Sequence, residues 1–163
     1  MSKTIRLEKF TANDFLYYFQ LVSDATVMAM ITERALPQDE AERLFAEILA
    51  NNTLHPDFGN FKILDALSGD FIGLAKLEIS SVECEEAELG YVVLPVYWGQ
   101  GIASKAAQIL VDSAYKQPTC RKLFAIIDPQ NLPSRKILLK NGFVSKEFKD
   151  FDGLSGEVLE LIF

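Results

Sequence analysis

The chain has 163 residues and a formal net charge of -7, with 49% hydrophobic and 24% charged residues. This length predicts a single domain, residues 1–163, whose core is large enough to need no disulfide or metal. The acidic balance argues against nucleic acid as a ligand, because phosphate backbones attract dense lysine and arginine surfaces. It is compatible with one bound anion and with a cationic partner such as an amine.

Cysteine and histidine usage and hydropathy narrow the possible classes further. Cys84 and Cys120 form no CxxC pair, and His55 is the single histidine, so we expect no metal site. The first residues contain no long apolar core, and no run of about 18 apolar residues occurs in the chain. We therefore expect no secretory signal, no membrane partner, and a cytoplasmic location with reduced thiols.

Hydrophobic periodicity predicts strands and helices along the whole chain. The predicted strands span residues 4–7, 60–65, 71–79, 87–94 and 122–127, with two more at the end separated by the turn-rich stretch DFDGLSG. The predicted helices span 11–23, 38–49, 102–115 and 134–141, and the segment 24–36 is expected to be irregular. The resulting order, β-α-α-β-β-β-α-β-α-β-β, favours an α/β sandwich.

Two glycines, Gly99 and Gly101, lie between a strand that stops at Pro95 and a helix that begins at Ile102. The first N–H groups of a helix have no partner within it and carry partial positive charge. Glycines let an anion approach such a backbone without a Cβ in its way. By itself a GxG sequence before a helix is more often a tight turn. It is not GxGxxG, because Ser104 takes the third position, and it is not a Walker loop.

A second stretch, NLPSRKILLKNGF at 131–143, follows the next predicted helix and strand. Together with AELGYVVLPVYWGQGIASKA at 87–106, it resembles the Gcn5-related N-acetyltransferase (GNAT) family, and more closely its Rim-type branch of ribosomal-protein alanine acetyltransferases and their relatives. The resemblance covers nearly the whole chain and is most specific over 88–143. It implies a mixed, mostly antiparallel sheet with a splayed parallel pair of strands and helices on both faces. It also implies acetyl-CoA-dependent acetylation of a primary amine, without an acyl-enzyme.

The resemblance further implies which residues bind acetyl-CoA. The family's pyrophosphate loop falls on 98–103, where Trp98 replaces the usual Gln or Arg. The expected loop contacts are Trp98, Gly99, Gln100, Gly101, Ile102, Ala103 and Ser104. In the family the preceding strand splays from its neighbour and pairs with the pantetheine arm, which assigns the main chain of Tyr91, Val92 and Val93 to the arm and the acetyl group. An N–H near Val93 would then stabilise the oxyanion.

One residue before the predicted helix at 134–141 and one in its first turn complete the expected cofactor contacts. Asn131 matches a family Asn that contacts the cofactor or a water on the reacting side, and capping that helix is an equally natural role. Arg135 is expected to touch a nucleotide phosphate, although a solvent-facing position is the alternative.

Acetyl transfer to an alkylammonium needs a base for its proton and a proton for the leaving thiolate. Glu88, expected to be partly buried among apolar neighbours, is the candidate base, directly or through water. Anchoring an ammonium and a plain surface position are its alternatives. Many family members use a Tyr as the acid at the position of Leu138, whereas Rim-type relatives use a Ser, which falls on Ser134. Bonding to the helix backbone is the alternative role for Ser134.

Other functions remain open at this point. A CoA-binding module with little or no catalysis is favoured slightly by the missing Tyr and by Trp98. A nucleotide-binding regulatory domain is less favoured, because no Walker lysine accompanies the loop. In the family the acceptor lies by the segment 24–36 and the last hairpin, near 151–156. A protein N-terminal amine and a small-molecule amine both fit as partners, and the protein is expected to be a monomer or a homodimer.

Overall fold

A computed structural model describes residues 3–163, and its centre is one seven-stranded sheet. The strands are β1 Ile5–Lys9, β2 Gly59–Asp65, β3 Phe71–Glu78, β4 Glu86–Val93, β5 Lys122–Ile127, β6 Val144–Phe151 and β7 Leu154–Ile162. They lie in the order β1-β2-β3-β4-β5-β7-β6, and β4 and β5 form the parallel pair in an otherwise antiparallel sheet. The mixed, mostly antiparallel sheet predicted from the sequence is confirmed.

Five α-helices accompany the sheet within residues 3–163. They are α1 Phe15–Val22, α2 Ala25–Met28, α3 Gln38–Asn51, α4 Ile102–Tyr115 and α5 Leu132–Lys140. The prediction that segment 24–36 is irregular was wrong in part, because α2 lies within it. Asp24 accepts hydrogen bonds from the N–H groups of Thr26 and Val27, which caps this short helix. Within residues 3–163, none of the helices is both long and apolar enough to cross a membrane.

Helices cover both faces of the sheet. Neighbouring residues of a strand point to opposite faces, so their contacts show which helices lie on which face. Leu74 of β3 packs in a buried cluster with Phe45 of α3. The next residue, Ala75, packs in a second buried cluster with Leu110 of α4 and Leu138 of α5. The first three helices therefore lie on one face, and the last two lie on the other.

The parallel strands β4 and β5 separate soon after they meet. Their register contains the pairs Glu86–Lys122, Ala87–Leu123 and Glu88–Phe124, and no later pair within the described part of the chain. Both strands continue, β4 against β3 as far as Val93 and β5 against β7 as far as Ile127. A gap thus opens between β4 and β5 toward the carboxyl ends of both strands, as the splayed pair predicted.

Candidate active site

The loop between β4 and α4 keeps a space open in front of the helix. Gly99 and Gly101 have φ angles of 77° and 75°, and a Cβ at either position would meet no heavy atom within 4 Å. Gly101 is the N-cap of α4 and has no side-chain hydrogen bond that caps the helix. The N–H of Lys105 makes the first helical bond, to the oxygen of Gly101, so the N–H groups of 102–104 have no helical partner. This arrangement suits a diphosphate.

The side chains of this loop point in different directions. Gln100 is exposed, Ile102 is buried in the core, and Ala103 and Ser104 are half-buried. Any contact of Ile102 with an anion therefore has to come from its main chain. Trp98 is 53% exposed, and its indole N–H donates to the carbonyl oxygen of Val93 across 2.7 Å. The Trp98 ring thus folds back onto the end of β4.

The main chain of β4 presents groups without a strand partner to the gap. Leu94 donates its N–H to the oxygen of Ile72, just beyond the pair Gly73–Val93. In an antiparallel ladder the bonding direction alternates from residue to residue. The N–H and C=O groups of Tyr91 and Val93 therefore point away from β3 and into the gap, whereas those of Val92 point toward β3. Of the three predicted main-chain contacts, the alternation directs Tyr91 and Val93, and not Val92, toward the gap.

A cavity of about 750 Å³ adjoins the gap, and we call it the acidic cavity. Its walls come from α1, α3, the segment between them, the middle strands, the start of α5 and the turn between β6 and β7. Among the described residues, the charged side chains that line it are Glu33, Glu47, Glu78, Glu88, Asp128 and Lys76. No group of three or more His, Cys, Asp or Glu side chains in residues 3–163 is placed to hold a metal ion.

Glu88 has polar neighbours, which corrects the expectation of apolar ones. Its carboxylate lies 3.2 Å from the ammonium of Lys76, and its side chain is 25% exposed. Glu88 also stands directly opposite Glu78 in the register of β3 and β4. A Cβ at Gly90 would lie 2.9 Å from Cε of Lys76, so the missing side chain at Gly90 makes room for the Lys76 stem. Lys76 is a site residue that the sequence patterns did not reveal.

The start of α5 faces Tyr91 across the gap. The side-chain oxygen of Asn131 accepts the N–H of Ser134 at 3.3 Å, which confirms the helix-capping role of Asn131. The phenolic hydroxyl of Tyr91 donates to the carbonyl oxygen of Ser134, also at 3.3 Å. Burial raises the pKa of Tyr91, and a separate hydrogen bond with the side chain of Ser134 opposes this effect. Leu138, one turn further along α5, is fully buried and lines the acidic cavity.

Arg135 forms an ion pair that the sequence did not predict. Its Nε lies 3.0 and 3.2 Å from the two carboxylate oxygens of Glu157 in β7. The side chain of Glu157 is 0% exposed, whereas that of Arg135 is 36% exposed. The pair ties α5 to the sheet beside the gap. Contact between Arg135 and a nucleotide phosphate stays a prediction.

A known protein family matches most of this chain. The family model of the acetyltransferase (GNAT) domain matches residues 4–144. The chain belongs to the GNAT acetyltransferase family. It is an N-acetyltransferase, and acetyl-CoA is its acetyl donor. This GNAT enzyme's place in the Rim-type branch stays a prediction.

Relatives of this GNAT enzyme include proteins with and without an assigned substrate. The uncharacterized N-acetyltransferase p20 of Bacillus licheniformis is 23% identical over 161 residues, which are 98% of this chain and 90% of the relative. The spermidine N(1)-acetyltransferase of Escherichia coli (strain K12) is 29% identical over 143 residues, 86% of this chain and 73% of the relative.

Solved structures share the fold of this GNAT enzyme. The spermidine N-acetyltransferase of Vibrio cholerae, solved with CoA and spermine, superposes with a TM-score of 0.80 at 19% identity, over 97% of this chain and 95% of that one. A GNAT acetyltransferase from Bacillus anthracis superposes with a TM-score of 0.80 at 20% identity, over 99% and 96% of the two chains. These structures confirm the predicted fold class.

Proposed function

We propose that this N-acetyltransferase acetylates a primary amine of a small cationic molecule, which attacks the thioester directly in a ternary complex. The observation that carries the proposal is the charge of the acidic cavity, where five carboxylates face one ammonium. That ammonium, on Lys76, is already paired with Glu88. Carboxylates in a partly enclosed cavity attract cations more strongly than they would in bulk water.

The cavity and the gap support a division of labour between the two substrates. The loop glycines and the first N–H groups of α4 are suited to the diphosphate of acetyl-CoA, while the main-chain groups of Tyr91 and the N–H of Val93 are suited to its pantetheine arm. The acidic cavity reaches Tyr91 from the side of α1 and α3. An amine in the cavity would therefore approach the thioester from the side opposite α4.

Four residues of the protein have proposed roles in the transfer. Acetyl-CoA supplies a thioester carbonyl carbon as the electrophile. Glu88, which lines the cavity, removes the proton of the ammonium directly or through water, and Lys76 holds its carboxylate in place. The N–H of Val93 points into the gap, where it can donate to the oxygen on which negative charge develops. The family resemblance assigns the proton of the leaving thiolate to Ser134.

The relatives make diamines and polyamines the first acceptors to test. Two of the similar proteins described above are named as spermidine acetyltransferases. Spermidine carries several ammonium groups, and the charge of the acidic cavity favours such a molecule. A protein N-terminus, the acceptor that the Rim-type resemblance suggested, presents a single ammonium and a bulky chain.

Release of free CoA from acetyl-CoA, measured with a panel of amines, tests the proposal. The panel contains polyamines, diamines, monoamines, amino sugars and short peptides with free N-termini. We expect the highest kcat/KM for small amines with two or more positive charges, and we expect that value to fall as salt rises, because salt screens charge attraction. Preference for peptides, or for amines without a second positive charge, would contradict the assigned acceptor class. No turnover with any amine would contradict the transferase reaction itself.

A further inference from the structure

The leaving thiolate needs a proton donor within the site. The family resemblance places a tyrosine at position 138 in many members, but this chain has Leu138, whose side chain carries no transferable proton. Ser134 has a hydroxyl, but an alkyl alcohol is a far weaker acid than a thiol and gives up its proton poorly. The structure places a second hydroxyl beside Ser134, that of Tyr91, which donates to the Ser134 carbonyl oxygen.

We propose that Tyr91 is a catalytic residue. Its phenolic hydroxyl donates a proton to the sulfur that leaves the acetyl group. The proposal rests on the proposed acetyl transfer. It adds a role for the side chain of Tyr91, a residue whose main chain alone had been assigned to the cofactor. The phenol reaches across the gap from β4 to α5 and bonds to the carbonyl oxygen of Ser134 at 3.3 Å.

The contact places the phenol beside position 138. In an α-helix the carbonyl of one residue accepts the N–H of the residue four positions later, so the oxygen of Ser134 lies next to the main chain of Leu138. Tyr91, Ser134 and Leu138 all line the acidic cavity. A phenol from the strand thus occupies the surroundings of the residue from which many relatives would extend a tyrosine.

The chemistry of the phenol suits this role. Tyrosine has an ordinary pKa of about 10 and an alkyl thiol such as cysteine about 8.5, so proton transfer from phenol to thiolate is only slightly uphill. A phenol is protonated at neutral pH even at its ordinary pKa. Burial, against an opposing hydrogen bond with the side chain of Ser134, raises the pKa of Tyr91 further, which makes proton transfer to the thiolate somewhat more uphill. Tyr18 is another tyrosine that lines the cavity, but it packs on the face of the sheet that lies away from α4 and α5.

The proposed step is balanced in protons and electrons. The amine nitrogen forms a bond to the acetyl carbon, the carbon–sulfur bond breaks, and its electron pair stays on sulfur. The Tyr91 hydroxyl gives its proton to that sulfur, while Glu88 takes a proton from the nitrogen. Solvent then returns a proton to the phenolate and accepts one from Glu88. Because the substrate enters as an ammonium, Glu88 passes on two protons in turn, one before the attack and one after it. The net reaction therefore releases one proton to solvent and moves one from nitrogen to sulfur.

Two variants separate the donor from its neighbour. Tyr91→Phe keeps the ring and removes the hydroxyl, and Ser134→Ala keeps the carbonyl oxygen to which Tyr91 bonds. We expect Tyr91→Phe to lower kcat by about 100-fold, the lower end for loss of a general acid, while KM for acetyl-CoA changes less than threefold. Ser134→Ala should lower kcat by a smaller factor. The reverse order, or an effect of Tyr91→Phe on KM alone, would overturn the proposal.

Binding without turnover provides an independent readout. Isothermal titration compares CoA with desulfo-CoA, which lacks only the sulfur. We expect the unmodified protein to bind CoA about fivefold more tightly, the effect of one hydrogen bond of ordinary strength. Tyr91→Phe should bind both equally, and Ser134→Ala should keep the preference. Equal binding by the unmodified protein overturns the proposal even if Tyr91→Phe does not fold. Turnover of amines by a protein with no such preference would leave the proposed function standing and remove this one.

Discussion

The indole N–H of Trp98 donates a hydrogen bond to the carbonyl oxygen of Val93, with 2.7 Å between the two atoms. Val93 ends β4 and directs its main chain into the gap, and Trp98 begins the glycine loop. This bond therefore couples the strand edge predicted to bind the pantetheine arm to the loop predicted to bind the diphosphate. It explains why a tryptophan can replace the polar residue usual at this loop position.

Replacement of Trp98 by Phe should weaken the binding of acetyl-CoA. The ring remains, but the hydrogen bond to Val93 is lost, and one such bond of about 1 kcal/mol corresponds to about a fivefold change in affinity. Isothermal titration measures the affinity, with Tyr97→Phe as a control aromatic change in the same loop. Trp98 is the chain's single tryptophan, so its fluorescence in the unmodified protein should also change as CoA is added. Equal affinities for Trp98→Phe and the unmodified protein would contradict the coupling.

Gly101→Glu should abolish acetyl-CoA binding, because it places a negative side chain where the diphosphate is expected. Gly69 supplies a matched control, since its φ of 79° is close to the 75° of Gly101 and a Cβ at either glycine meets nothing within 4 Å. Both glutamate variants should lose about 1–2 kcal/mol of unfolding free energy through backbone strain. Thermal melts and CoA titration together separate strain from binding. Loss of CoA binding in Gly69→Glu as well would show that strain alone explains the result.

Glu88→Gln should slow turnover by at least about 100-fold if Glu88 is the base, with the affinity for acetyl-CoA largely kept. Glu86→Gln is the matched control. Glu86 lies two residues earlier on the same strand and pairs with Lys122 outside the acidic cavity. Steady-state kinetics with a saturating amine measure kcat for both variants. Normal turnover by Glu88→Gln would show that Glu88 is not the base.

Arg135→Ala should destabilise the fold, because it leaves the fully buried carboxylate of Glu157 without its partner. Removal of one member of a fully buried ion pair costs about 3–5 kcal/mol. Because Arg135 is partly exposed, we expect a smaller loss here, and removal of both charges should cost less still. Urea unfolding should therefore show a larger loss for Arg135→Ala than for the double variant Arg135→Ala/Glu157→Gln. If the double variant is stable and still binds CoA with unchanged affinity, Arg135 does not contact a phosphate.

The sequence predicted those parts of the fold in which local patterns are strong. The bounds of α4 and β5 agree with their predictions to the residue, because apolar residues recur at helical spacing in α4 and β5 is a compact apolar run. The helix α2 was missed because four residues, Ala25–Met28, are too short to show a period. Its capping residue Asp24 was the available signal.

The site was predictable where the chain itself brings residues together, as in the glycine loop. Contacts set by the register of distant strands left no such signal. Lys76 and Glu88 are on different strands, and their ion pair depends on how β3 aligns with β4. The contact from Tyr91 to Ser134 likewise depends on the angle at which β4 and β5 separate. Periodicity predicts faces of elements but carries no information about such alignments.

Three residue pairs are all that join β4 to β5 in the described chain, so the sheet consists of a four-stranded half and a three-stranded half that meet at a short seam. Beyond the seam, two strand edges face each other without a ladder between them. Unpaired edges of this kind can pair with an extra strand from another molecule. A pantetheine arm in that place would contact both halves and hold them together. The acetyl donor would then also protect the folded protein against unfolding and association, to a degree set by its concentration relative to its dissociation constant.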